Sequence, residues 1–142
     1  MTASFVLDSS VALAWCFPEE GTPASTRLLD RMATEAATVP ALWFLEIANV
    51  LAVAERRRRI RPAEAAEFIA VVECLDLEVD DQSPRLIFSQ VLPLCRAHAL
   101  TSYDAAYLEL SIRRQLPLAT LDDSLRAAAK AAGVKVLGKG RG

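Results

Sequence analysis

Ser4-Phe5-Val6-Leu7-Asp8 is an apolar run of strand length that ends on a carboxylate, and its reading decides the fold. The run predicts a buried strand with Asp8 at its C-terminal end. Ser9-Ser10 follows as cap chemistry, and Val11-Ala12-Leu13-Ala14-Trp15-Cys16-Phe17 continues as an apolar helix until Pro18 stops it. In an open α/β sheet, ligands bind beyond the carboxyl ends of the strands. A strand, a short elbow and a buried helix therefore present Asp8 where a site would form, at a positively polarised helix N-terminus.

The rest of the chain repeats this alternation. Thr22 caps a helix with Leu28, Leu29 and Met32 inward, and Thr38-Val39-Pro40 forms a short strand. From Ala41 to about Arg58 a helix runs apolar on nearly every side, interrupted within its first turns only by Glu46 and Asn49, three residues apart. A helix apolar all round has to be covered all round. Arg61-Pro62 starts the second arm of a helical hairpin. Leu77-Glu78-Val79 reads as a strand, Ser83-Pro84 as the start of a helix ending near His98, and Thr101-Ser102-Tyr103-Asp104 as the start of another. Leu116 to Thr120 is a further strand, Asp122-Asp123-Ser124 opens a helix that Gly133 closes, and Val134 to Leu137 is the last strand. Strands alternating with helices predict a mostly parallel sheet between helix layers.

Composition narrows the function. A chain of 142 residues is one ordinary domain. Its mean hydropathy of +0.25 is high for that size and favours a buried interface with another chain, such as a homodimer. The net charge of −2 gives no global attraction for nucleic acid, so such binding needs a local basic patch. Cys16, Cys74 and Cys95 are odd in number and far apart, and read as reduced core residues. With no cleavable leader and no run of 18 apolar residues, a soluble cytoplasmic protein is expected.

Asp8, Glu46, Asp104 and Asp122 each interrupt an apolar setting at a strand end or on a helix. Converging carboxylates repel, so such a cluster either protonates some members or binds a cation. Oxygen donors without His or Cys favour Mg²⁺ or Mn²⁺ over zinc. Each acid also has a plainer reading: Asp8 and Asp122 as N-caps, and Asp104 as part of a Thr101-x-x-Asp104 capping box. Glu46 resists that reading, because an acid inside an apolar helix needs a partner. The arginines at 56 to 59 read first as solvated helix-end charges and second as phosphate contacts. His98 reads as a packing or helix-end residue.

These stretches carry a resemblance. Phe5-Val6-Leu7-Asp8-Ser9-Ser10-Val11, the Glu46 and Asn49 pair, Tyr103-Asp104-Ala105-Ala106-Tyr107 and Leu118-Ala119-Thr120-Leu121-Asp122 together resemble a PIN domain, and specifically the VapC-type toxin ribonucleases of toxin–antitoxin pairs. The likeness spans essentially the whole length. It implies a three-layer α/β/α sandwich with a mostly parallel sheet of four to five strands over residues 1–137, followed by a flexible tail, 138–142. It further implies a Mg²⁺- or Mn²⁺-dependent endoribonuclease. Asp8, Glu46, Asp104 and Asp122 would hold the metal, and Ser10, Asn49 and Thr120 would support the cluster. Asp123 is then either an outer ligand behind the first four or a solvated helix start, the second reading favoured because the pattern places the ligand one residue earlier. The implied partners are RNA, a VapB-type antitoxin and a second copy of the chain in a larger toxin–antitoxin complex, with no membrane. A catalytically silent PIN-fold module that binds RNA or protein is the alternative.

Overall fold

The computed structural model describes residues 2–138. Five strands, β1 (Ala3–Leu7), β2 (Ala36–Pro40), β3 (Leu77–Asp80), β4 (Leu118–Ala119) and β5 (Val136–Leu137), form one sheet in the order β3-β2-β1-β4-β5. Every neighbouring pair is parallel. Parallel strands need crossovers, and helices supply them. The helices are α1 (Ser9–Cys16), α2 (Pro23–Arg31), α3 (Leu42–Arg56), α4 (Pro62–Glu73), α5 (Pro84–Leu86), α6 (Leu92–His98), α7 (Ser102–Arg114) and α8 (Asp123–Ala131). Helix α1 packs on α2 and α3, whereas α7 packs on α6 and α8 and lies over β1, β2 and β4. The sheet is thus enclosed between helix layers, with Phe5, Val6, Leu7, Val39, Trp43 and Leu108 fully buried between them.

Chain order explains the position of the site. After β1 the chain builds outward through β2 to β3, then returns to lay β4 against the other side of β1. The order reverses between β1 and β4, and such a switch point opens a crevice at the carboxyl ends of the two strands. Asp8 follows β1 directly there, and Thr120 follows β4.

Several helix signals act as the residue types dictate. Thr22 and Ser25 form a reciprocal capping box, Ser83 accepts from the Leu86 N–H, and Thr101 accepts from the Asp104 N–H. Gly133 turns at φ +80°, a conformation that suits glycine. Strands β4 and β5 are shorter than expected, although ladder bonds continue past them. The Val6 N–H donates to Pro117 O, the Asp8 N–H to Ala119 O, and the Thr120 N–H to Leu137 O. Pro117 accepts but has no N–H to give, which limits regular pairing. A π-helical segment, Ile87–Val91, separates α5 from α6. There the Leu92 N–H reaches back to Ile87 O, and Pro93 supplies no N–H to the next carbonyl.

Three expectations need correction. Helix α3 is not covered all round: Trp43, Ile47, Leu51 and Ala54 form its buried stripe, while Phe44 is 43% and Leu45 75% exposed. Cys74 is exposed at the end of α4 rather than in the core. Arg59 is not a free helix-end charge. Its guanidinium pairs with Glu19 and Glu20 and lies 4.0 Å from the ring centroid of Phe17, tying the α3–α4 turn to the end of α1. Arg56, Arg57 and Arg58 are exposed, and His98 is half-buried at the end of α6. Of the expected tail, residues 139–142 lie outside the described residues.

Candidate active site

Asp8 is 4% exposed. Its backbone stands at the N-cap of α1, but its side chain does not cap that helix. Instead Oδ2 accepts from Ser10 Oγ at 2.6 Å and from Thr120 Oγ1 at 2.8 Å. The capping reading of Asp8 therefore fails at the side chain. Burial pushes the Asp8 carboxyl up from its ordinary 3.8 to about 6; the hydroxyls of Ser10 and Thr120 oppose that shift, and the charges of Glu46 and Asp104 add to it.

Ser10 and Thr120 both work twice. Ser10 Oγ also accepts from the Leu121 N–H at 3.0 Å, and Thr120 Oγ1 from the Asp122 N–H at 3.0 Å. The end of β1 is thereby bolted to the turn after β4. Replacing the fully buried Thr120 by valine should cost about 1–3 kcal/mol, since it strands the Asp122 N–H and removes a donor from Asp8. The same change should move the Asp8 titration to higher pH. Urea unfolding and a carboxyl NMR titration check the two effects, and an unmoved Asp8 titration would contradict the role given to Thr120.

Glu46 lies in the second turn of α3. Its Oε1 accepts from Tyr107 Oη at 2.5 Å and from Ser9 Oγ at 3.2 Å. Burial, the nearby Asp8 charge and the bond to Glu46 hold the Tyr107 hydroxyl well above its usual range, so it stays protonated and donates. Asp104 sits half-buried in the first turn of α7. Its carboxyl is raised by burial first, then by the charges of Asp122 and Glu46. The capping box is only half made: Thr101 Oγ1 accepts from the Asp104 N–H at 3.2 Å, with no return bond among the described residues. Asp122 does cap its helix, Oδ1 accepting from the Leu125 N–H at 2.8 Å. Asp123 is exposed in the first turn of α8, and Asn49 is exposed on α3.

Electrostatic coupling thus links Asp8 to Glu46 and Asp104, and Asp104 to Asp122. The four acids come from four separate segments and lie near enough to feel one another's charge. Among the described residues, no three His, Cys, Asp or Glu side chains already stand as a ring around an ion. The donor chemistry nevertheless fits a hard divalent cation. All donors are carboxylate oxygens, and among the described residues the groups that perturb Asp8 are two hydroxyls and two like charges. Sequence reasoning gives Tyr107 no role and reads Ser9 only as cap chemistry. The signal for Tyr107 was its spacing, three residues after Asp104 on one face of α7.

No curated protein is a significant match. Among solved structures the chain is similar to a protein from Pyrobaculum aerophilum, PAE2754, at 23% identity and TM-score 0.71, covering 96% of this chain and 92% of that one. It is similar to VapBC2 from Rickettsia felis, solved with a DNA fragment from its promoter, at 9% identity and TM-score 0.65, covering 93% and 96%. FitAcB from Neisseria gonorrhoeae gives 17% identity and TM-score 0.64, covering 93% and 95%. At these identities the likeness is one of fold. The PIN domain family model matches residues 5–131, nearly the whole chain, and the chain belongs to the PIN domain family.

Proposed function

We propose that this PIN domain is a divalent-metal-dependent endoribonuclease and the toxin of a toxin–antitoxin pair. The observation that carries the reading is Asp8: a carboxylate 4% exposed, at the switch point of a parallel sheet, with like charges as its ionic neighbours. A buried acid so placed is stabilised by a positive guest. Asp8, Glu46, Asp104 and Asp122 would hold Mg²⁺ or Mn²⁺, and that ion, when bound, supplies a lowered pKa for water and a counter-charge for phosphate oxygens. Ser10 and Thr120 keep Asp8 oriented. Asn49, exposed, is left with an outer supporting role at most.

The toxin assignment is supported by fold. VapBC2 from Rickettsia felis and a toxin–antitoxin complex from Klebsiella pneumoniae are both neighbours, the latter at TM-score 0.55. A VapB-type antitoxin is the proposed partner. A homodimer is supported by Phe44, Leu45 and Phe88, the last 71% exposed, large apolar side chains that a second copy of the chain would cover. A cytoplasmic setting belongs to the same proposal; among the described residues no helix is long and apolar enough to cross a membrane.

A second reading, a silent module that binds RNA or protein, is favoured by the open spacing of the acids and by the capping bond of Asp122. Calorimetry with Mn²⁺ and cleavage of a single-stranded RNA separate the two. The expected result is saturable Mn²⁺ binding and cleavage that EDTA stops. Cleavage indifferent to EDTA, or no Mn²⁺ binding at millimolar concentration, would defeat the nuclease reading. Expression alone should arrest growth, and co-expression with a cognate VapB-type antitoxin should relieve it.

A further inference from the structure

We propose that Tyr107 and Ser9 are positioning residues that fix the Glu46 carboxylate by its Oε1 atom, leaving Oε2 for the cation; the inference rests on the metal-site reading above. Glutamate reaches its site through three rotatable bonds, so a carboxylate meant to share an ion needs something to hold it. Here two hydroxyls do so, Tyr107 Oη at 2.5 Å and Ser9 Oγ at 3.2 Å, both on the same oxygen. They come from two different elements. Ser9 is the first residue of α1, next to Asp8, and Tyr107 lies on α7 one turn after Asp104. Each of those segments therefore delivers one acid and one hydroxyl, and the position of Glu46 is locked to the positions of Asp8 and Asp104.

Burial makes the lock stiff. The Tyr107 side chain is fully buried and Ser9 is 7% exposed, so neither hydroxyl has solvent as an easy alternative partner. Among the described residues, Glu46 Oε2 takes no hydrogen bond. Groups that orient a ligand from behind typically change metal affinity by about 10–100-fold when removed.

The test uses the full chain and Mn²⁺ titrated alone by calorimetry, with cleavage of a single-stranded RNA as a second readout. Tyr107→Phe keeps the ring and deletes only the hydroxyl; Ser9→Ala deletes the other. Each should weaken Mn²⁺ binding, Tyr107→Phe by about tenfold or more, and lower kcat with KM for RNA little changed. In a Glu46→Gln background, Tyr107→Phe should add little, because the atom it positions has lost its charge. Ser111→Ala is the control: it removes a buried hydroxyl of the same helix that bonds to no carboxylate, and should leave Mn²⁺ affinity unchanged. Normal Mn²⁺ affinity in both Tyr107→Phe and Ser9→Ala would overturn this inference while the metal site stood. An equal loss in Ser111→Ala would also overturn it, as helix loosening. No Mn²⁺ binding in the parent would bring down the metal-site reading and this inference with it.

Discussion

Replacing Asp8 by asparagine should reduce RNA cleavage by about a hundredfold or more, beyond the loss seen when only a supporting group is removed, and should stabilise the metal-free protein at neutral pH. The two effects have one cause. An unfolded aspartate titrates near 3.8, while folded Asp8 keeps its proton to about 6. Between those values the folded state binds more protons, so the favourable contribution of neutral Asp8 is complete below about 3.8 and is lost as pH rises through about 6. Above that pH the folded, metal-free chain carries a penalty of roughly 3 kcal/mol. Asparagine has no charge to desolvate, and its carbonyl oxygen can accept the Ser10 and Thr120 hydroxyls that Oδ2 accepts now. Unfolding free energies measured in EDTA from pH 4 to 8 should therefore diverge, the variant gaining on the parent as pH rises. Adding Mg²⁺ should close the gap by stabilising the parent alone. Parallel curves for the two proteins would show that Asp8 pays no burial penalty.

The same physics bears on why the acids stand apart. Repulsion among Asp8, Glu46 and Asp104 is relieved either by protons or by separation. Burial is the larger cause of the raised Asp8 and Asp104 carboxyls, and the neighbouring charges add to it; among the described residues the acids do not close into a ring. Pinning one oxygen of Asp8 and one of Glu46 by hydroxyls limits how far the separation can go.

What the sequence made legible were features written in local residue types. Phe5-Val6-Leu7 as a buried strand, Thr22, Ser83 and Thr101 as caps, and Gly133 as a helix stop follow from burial, side-chain donors and φ preference. The four acids were legible because a carboxylate in an apolar setting is costly and demands a reason. Partners set by long-range packing were not legible from local residue types. Thr120, 112 residues from Asp8, entered only through the family likeness, and Tyr107, 61 residues from Glu46, was given no role. Nothing in a buried, mostly apolar helix such as α7 says which acid its hydroxyl meets. Asn49 stands about 60° round α3 from Glu46 and is exposed there. The covering of α3 was misjudged because the apolar pattern of a helix includes surface that a single chain does not bury.

The second large effect concerns stability at the opposite end of α7. Glu109 is 4% exposed and ion-paired to Arg113, with Nε to Oε2 at 2.8 Å and Nη2 to Oε1 at 3.1 Å. Arg113 also holds Asp80 through two bonds, at 3.0 and 2.6 Å, while Gln82 Nε2 donates to Glu109 Oε1 at 2.7 Å and to Ala106 O at 3.0 Å. The network fastens α7 to the end of β3, an edge strand with β2 as its one neighbour in the sheet, and Arg114 adds a second tie through Glu78. Arg113→Gln would leave Glu109 buried and charged without its cation. Breaking a fully buried pair in this way costs about 3–5 kcal/mol. Because the Arg113 side chain is 35% exposed, solvent returns part of that, and about 2–3 kcal/mol is expected. Adding Glu109→Gln should recover part of the loss, since the stranded charge is then gone and a neutral amide can still accept from Gln82. Arg113 lies nine residues beyond Asp104, about 13 Å along the helix axis, so Mn²⁺ affinity should stay at the parent value while the urea midpoint falls. A loss in the single variant below about 1 kcal/mol, or a double variant less stable than Arg113→Gln alone, would mean that the charge of Glu109 is carried by something other than Arg113.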